Sequence, residues 1–111
     1  MNQRDVVLRW IEQIAAVVRR MLFGPGPQDV VAARLHVEDA ITRHLGSLAL
    51  VIPRLDPLSA AELLRDPDRI RGLALLLDLQ ASVEEADHNP EAAARLRDRA
   101  GALRAVAPEE S

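Results

Sequence analysis

The side chains in this sequence that could carry chemistry are its histidines, its hydroxyls, a pair of glutamates and a group of arginines. His36 and Asp39 stand three residues apart, a spacing that puts both on one face of a helix and could offer two ligands to a metal ion. A third and fourth ligand are missing nearby, so a solvated helix face is the expected reading, with no metal. His44 falls inside an apolar stripe, where a part-buried imidazole titrates near neutral pH. Its expected place is near a helix end, hydrogen-bonded to a free carbonyl. The candidate nucleophiles are Thr42, Ser47, Ser59, Ser82 and Ser111. Hydrolysis needs such a hydroxyl beside a base and an oxyanion site. Ser59 reads as a helix cap, Ser82 falls on a polar helical strip, and Gly46-Ser47 lacks the strand-turn-helix context of a nucleophile elbow. The adjacent Glu84 and Glu85 point about 100° apart on a helix, a poor geometry for an acid/base pair. The absence of cysteine removes thiolate zinc sites, cysteine nucleophiles and disulfides. The expectation is a protein that is not an enzyme and holds no cofactor.

Arg95, Arg97, Arg99 and Arg104 give the C-terminal segment a basic excess. They point in several directions without aromatic stacking partners, so a salt-bridged surface is expected rather than a phosphate-binding face. The net charge of −3 agrees in disfavouring nucleic acid. All 14 basic residues are arginine, which reads most simply as a coding bias.

These residues are expected to be positioned by helices. The chain of 111 residues has the length of one domain, 49% apolar and built from Leu, Ala and Val, with one Trp, one Phe and no Tyr. No period-2 alternation is sustained. A first helix is predicted over about 2–23, capped by Asn2 with Asp5 three residues on, and ended by Gly24-Pro25-Gly26-Pro27. A second runs from about Asp29 to Leu45 and stops at Gly46. Residues 47–57 are expected to form a short helix or buried loop, since no second strand exists to pair with the run Leu48 to Ile52. Ser59 with Glu62 reads as a capping box for a short helix ending near Leu64. Asp66-Pro67 and Asn89-Pro90 each open a longer helix, and together these span about 67–107. The first of the pair has two apolar faces, Ile70, Leu73, Ala74, Leu77 and Ala81 on one and Leu75, Leu76, Leu79, Val83 and Ala86 on the other. It is predicted to lie at the centre of the fold. Ala92, Ala93, Leu96, Ala100, Leu103 and Ala107 give the second a single face, as expected of an edge helix, and the tail 107–111 is expected to fray.

The first helix carries the surplus. Its apolar residues cover an arc of roughly 200°, about twice what a surface helix needs. Val6, Leu8, Trp10, Val17 and Leu22 on the two edges of that arc are the candidate interface residues. Arg4, Asp5, Arg9, Glu12, Arg19 and Arg20 interrupt every possible membrane-spanning run, and no secretion signal pattern opens the chain, so a cytoplasmic protein off the membrane is expected.

The segment from Leu73 to Ala107 resembles one degenerate tetratricopeptide unit, with Leu79 and Val83 on its first helix and the small residues Ala93 and Ala100 seven apart on its second. It departs from that repeat in Gln80, in its missing aromatic positions and in the length of the turn Asp87-His88-Asn89-Pro90. One unit is not a repeat array. The whole chain is similar to a family of small, uncharacterised bacterial helical proteins through Asp5, Val7, Arg9, Ile11, Glu12 and Gln13 and the closing helix pair. That resemblance implies a fold and no activity.

Together these readings predict an all-α single domain, a compact bundle of four main helices plus a short one, closed by an antiparallel hairpin. The expected function is a non-catalytic protein–protein interaction or scaffold module. It would form a homo-oligomer, most simply a dimer through the first helix, or bind another protein there. The alternative is a bundle that binds a small apolar ligand between the first and fourth helices, beside Trp10, Ile14, Leu73 and Leu77.

Overall fold

Four helices begin at an acidic or amide side chain that accepts a hydrogen bond from a free backbone N–H of the first turn. Asp29 accepts from Ala32 at the start of α2 (Val30–Leu45), and Asp56 from Ser59 at the start of α3 (Pro57–Leu64). Asp66 does the same for α4 (Pro67–Ala86) and Asn89 for α5 (Pro90–Val106). In α3, α4 and α5 a proline follows the cap, where its missing N–H has no intrahelical partner to lose. The first helix, α1, spans Gln3–Phe23.

The computed structural model describes the backbone of residues 3–108 and the side chains of residues 6–108. The expected Asn2 cap, the Asp5 side chain meant to complete it, and the tail from 109 to Ser111 lie outside the described residues. Within them the architecture is an all-α bundle, without a strand. Two 3₁₀ turns, Gly46–Leu48 and Ile52–Arg54, take up the segment between α2 and α3. Ile52 is buried there, while Leu50 points into solvent.

The start of α3 corrects the sequence reading. Ser59 is not its cap. Asp56-Pro57 opens the helix two residues ahead of Ser59, and Ser59 Oγ donates back to Asp56 Oδ1 at 2.6 Å. The hydroxyl therefore reinforces the aspartate rather than replacing it.

Helix α4 lies at the centre, in contact with α1, α2, α3 and α5. Leu76, Leu79 and Val83 pack with Ile11, Val18 and Leu22 of α1 and with Ala33, Val37 and Ala40 of α2. On its other side Ile70, Leu73, Ala74 and Leu77 share a cluster with Ala60, Ala61 and Leu64 of α3 and with Ala100 and Leu103 of α5. The two faces read from the sequence are thus both covered. Leu75 is the exception: it was expected on the second face and is 41% exposed. It shares a strip with Arg71, Asp78 and Ser82 that runs between the helices packed on either side.

The crossing of α4 with α2 depends on Gly72. A Cβ placed there would lie 2.7 Å from His44 Cε1, 2.9 Å from His44 Nε2 and 3.1 Å from Ile11 Cδ1. All three contacts are with packed side chains that have little room to move. Gly72→Ala gains about 1 kcal/mol of helix propensity, but overpacking of this kind costs about 1–3 kcal/mol. The expected result is a net loss of stability in urea melts, with loss of the native Trp10 fluorescence environment at lower denaturant.

Candidate functional site

Three features bear on function: the edge of α1, the junction around His44, and a cleft between α2 and α5.

The chain itself covers most of the surplus on α1. Ile11, Val18 and Leu22 are buried, and Val7, Trp10, Ile14, Ala15 and Met21 pack partly against the core. Leu22, expected at the interface, is 4% exposed and packs with Ala33, Val37 and Leu79, so it belongs to the core instead. Leu8 is half-buried on the edge toward α4. Val6 and Val17 remain open, at 53% and 37%, on the edge toward α2, and the half-buried Trp10 lies between them.

Trp10 is held by a contact that the sequence did not reveal. Its indole stacks on the His44 imidazole, with ring centroids 6.5 Å apart and planes 21° apart. His44 Nε2 lies 2.7 Å from the Arg69 carbonyl oxygen, so that nitrogen carries the proton and donates. In return the Arg69 guanidinium donates to the His44 carbonyl at 3.4 Å and to the Leu45 carbonyl at 2.7 Å. The expected bond from His44, near the end of α2, to a carbonyl forms as one half of an exchange. His44 reaches a carbonyl of α4, while Arg69 satisfies the last carbonyls of α2 and sets its positive charge at that negative helix end.

His36 and Asp39 do not form a metal pair: Asp39 meets Arg43 at 3.0 Å on an exposed turn. Among the described residues no three His, Cys, Asp or Glu side chains converge. Glu84 and Glu85 diverge as read from the sequence. Glu84 Oε1 takes Arg34 at 3.2 Å and Glu84 Oε2 accepts from Asn89, whereas Glu85 pairs with Arg97. Arg34 also reaches Asp87 at 2.8 Å, and that hydrogen bond is the main reason its guanidinium holds its proton more tightly than usual. No described helix is long and apolar enough to cross a membrane.

The cleft is the feature that sequence reasoning missed. Helices α2 and α5 both rest on α4 without packing closely on each other. Between them lies a space of about 400 Å³ with Leu73, Leu77 and Gln80 of α4 as its floor. Ile41, Thr42 and Leu45 form one wall, Leu96 and Arg99 the other, and Ala49, Ile52 and Pro53 close one end. Arg99 donates to the Ile52 carbonyl at 2.9 Å and so fixes that end to α5. Leu73 and Leu77, expected beside Trp10 and Ile14 between α1 and α4, line this cleft instead. A hollow between α1 and α4, about 320 Å³, is lined by Ile11, Glu12, Ala15, Arg19, Leu75, Asp78, Leu79 and Ser82.

Comparison with protein-family models, curated proteins and solved structures finds no match. The geometry of the molecule is therefore the basis for its function.

The junction around His44 sets a pH dependence. Burial, foremost, pushes the imidazole below its ordinary 6.5, and the Arg69 charge adds to this; the bond to the Arg69 carbonyl and the charge of Asp66 oppose it. As the pH falls through 6.5 the unfolded chain takes up a proton before the folded chain does. Stability that is fully present above that value is then lost on acidification, until the folded imidazole titrates as well. Urea melts between pH 8 and pH 5 are expected to show this decline, and His44→Gln is expected to remove its share of it.

Proposed function

We propose that this protein is a non-catalytic interaction module that self-associates through the outer edge of α1. The observation that carries this reading is the stripe Val6, Trp10 and Val17. Four and then seven residues apart, they keep to one line along the helix, about 16 Å from end to end at 1.5 Å per residue. The core has already taken Ile11, Val18 and Leu22, so these are side chains for which the chain provides no full cover. An isologous contact between two copies covers such a stripe on both at once. The same surface on another protein is the variant of this reading in which the partner is not a second copy.

Light scattering coupled to gel filtration at tens of micromolar tests it. The expected result is a dimer for the native chain and a monomer, with an unchanged helical circular dichroism spectrum, for Val6→Glu combined with Val17→Glu. Both substitutions fall on exposed positions, so the core is left intact. A monomeric native chain that retrieves no partner sensitive to that double change overturns the proposal.

A further inference from the structure

The tryptophan in the middle of the α1 stripe also covers a titratable group. Trp10 is half-buried between Val6 and Val17, and its indole stacks on the His44 ring. The other neighbours of that ring have no room to give way. A Cβ on Gly72 would lie 2.7 Å from Cε1 and 2.9 Å from Nε2, so the backbone of α4 stands directly against that side of the imidazole. Ile11, beside the same position, is 3% exposed, and Arg69 is tied to the Leu45 carbonyl at 2.7 Å. Among these neighbours only Trp10 can withdraw toward solvent.

His44 Nε2 already carries a proton and donates it to the Arg69 carbonyl, so a second proton goes to Nδ1. The ring then bears a charge in a place built for a neutral group. The charged groups that act on it stand at the start of α4: the Arg69 guanidinium repels it and Asp66 attracts it. Asp66 is exposed and already accepts from the Asp68 N–H, so its help is screened by water. From α1 the ring meets Trp10 and Ile11, neither charged, while Arg9 and Glu12 of that helix are exposed. On α2 itself Arg43 is paired with Asp39. An indole face attracts a cation within about 6 Å, but these ring centroids are 6.5 Å apart. What the imidazolium lacks is hydration, and Trp10 is the cover that must move to supply it.

We propose that acid switches off self-association through α1, because a proton on His44 displaces Trp10 from the middle of the interface stripe. This inference rests on the self-association proposed above. A second copy seated over Trp10 closes the route by which water reaches the ring, so the dimer holds His44 neutral more firmly than the monomer does. The coupling is reciprocal: protonation weakens the dimer by the same factor by which dimerisation disfavours the proton. Association is therefore at full strength where the monomer's His44 is neutral, and weakens as the pH falls through the range in which that imidazole titrates.

Light scattering over a series of concentrations gives the dissociation constant at pH 8 and pH 5, with circular dichroism to show that the helices stay intact. The expected constant is at least about tenfold larger at pH 5. His36→Gln keeps this response, whereas His44→Gln, whose amide can still donate to the Arg69 carbonyl, shows a constant independent of pH. The monomeric chain carrying Val6→Glu and Val17→Glu reads the movement of Trp10 apart from the interface. Its Trp10 emission is expected to shift to the red with the same midpoint as the His44 Cε1 proton resonance. A dimer of pH-independent affinity, or one equally sensitive in His44→Gln, overturns the switch and leaves self-association standing. Constant Trp10 emission while His44 titrates does the same. A native chain that is monomeric at pH 8 overturns the switch and self-association together.

Discussion

The junction between the end of α2 and the beginning of α4 governs the arrangement of the other helices. His44 can donate to the Arg69 carbonyl, and Arg69 can reach the last carbonyls of α2, only because residue 72 has no side chain to keep the two helices apart. That close approach fixes where α2 ends against α4. It also presents the His44 ring as the surface on which Trp10 stacks, and so sets the position of α1. A part-buried polar exchange of this kind holds its geometry through direction and satisfaction rather than through area, since a group left unpaired there loses more than the pair itself contributes.

The cleft follows from the same junction. With α2 anchored at its C-terminal end by Arg69, and near its start by Arg34 to Glu84 and Asp87, its path along α4 is set at both ends. Helix α5 takes its path from a different source, the small residues Ala93 and Ala100 and the buried Leu103 against α4 and α3. Two helices placed independently on one central helix need not meet, and the 3₁₀ turns between α2 and α3 bridge only one end of the space they leave. Leu73, Leu77 and Gln80 of α4 form the floor of that space.

Local signals explain how much of this was legible in the sequence. The caps at Asp66 and Asn89, and the prolines after them, are backbone chemistry written within four residues, and the structure has them where they were read. Asp56-Pro57 is the same device, hidden because Ser59 and Glu62 offered a competing capping box. The two apolar faces of α4 were readable from period alone, except at Leu75, where a strip between two packed neighbours cannot be told from a covered face by spacing. The α1 arc was correctly seen as too wide for one neighbour, but which of its residues remain open depends on where α2 and α4 lie. The Arg69 exchange and the cleft join residues more than twenty positions apart, and no local pattern encodes the separation of α2 from α5.

The central position of α4 also orders how the molecule comes apart. Helix α1 rests mainly on α2 and α4, and α5 mainly on α3 and α4, so the first and last helices flank a shared axle from opposite sides. Either can swing open while the other stays seated, whereas α4 can be released only by losing both. Its amide hydrogens, above all those of Leu73 to Val83, are consequently the last to exchange with solvent. Partial opening at either flank would leave this helix seated.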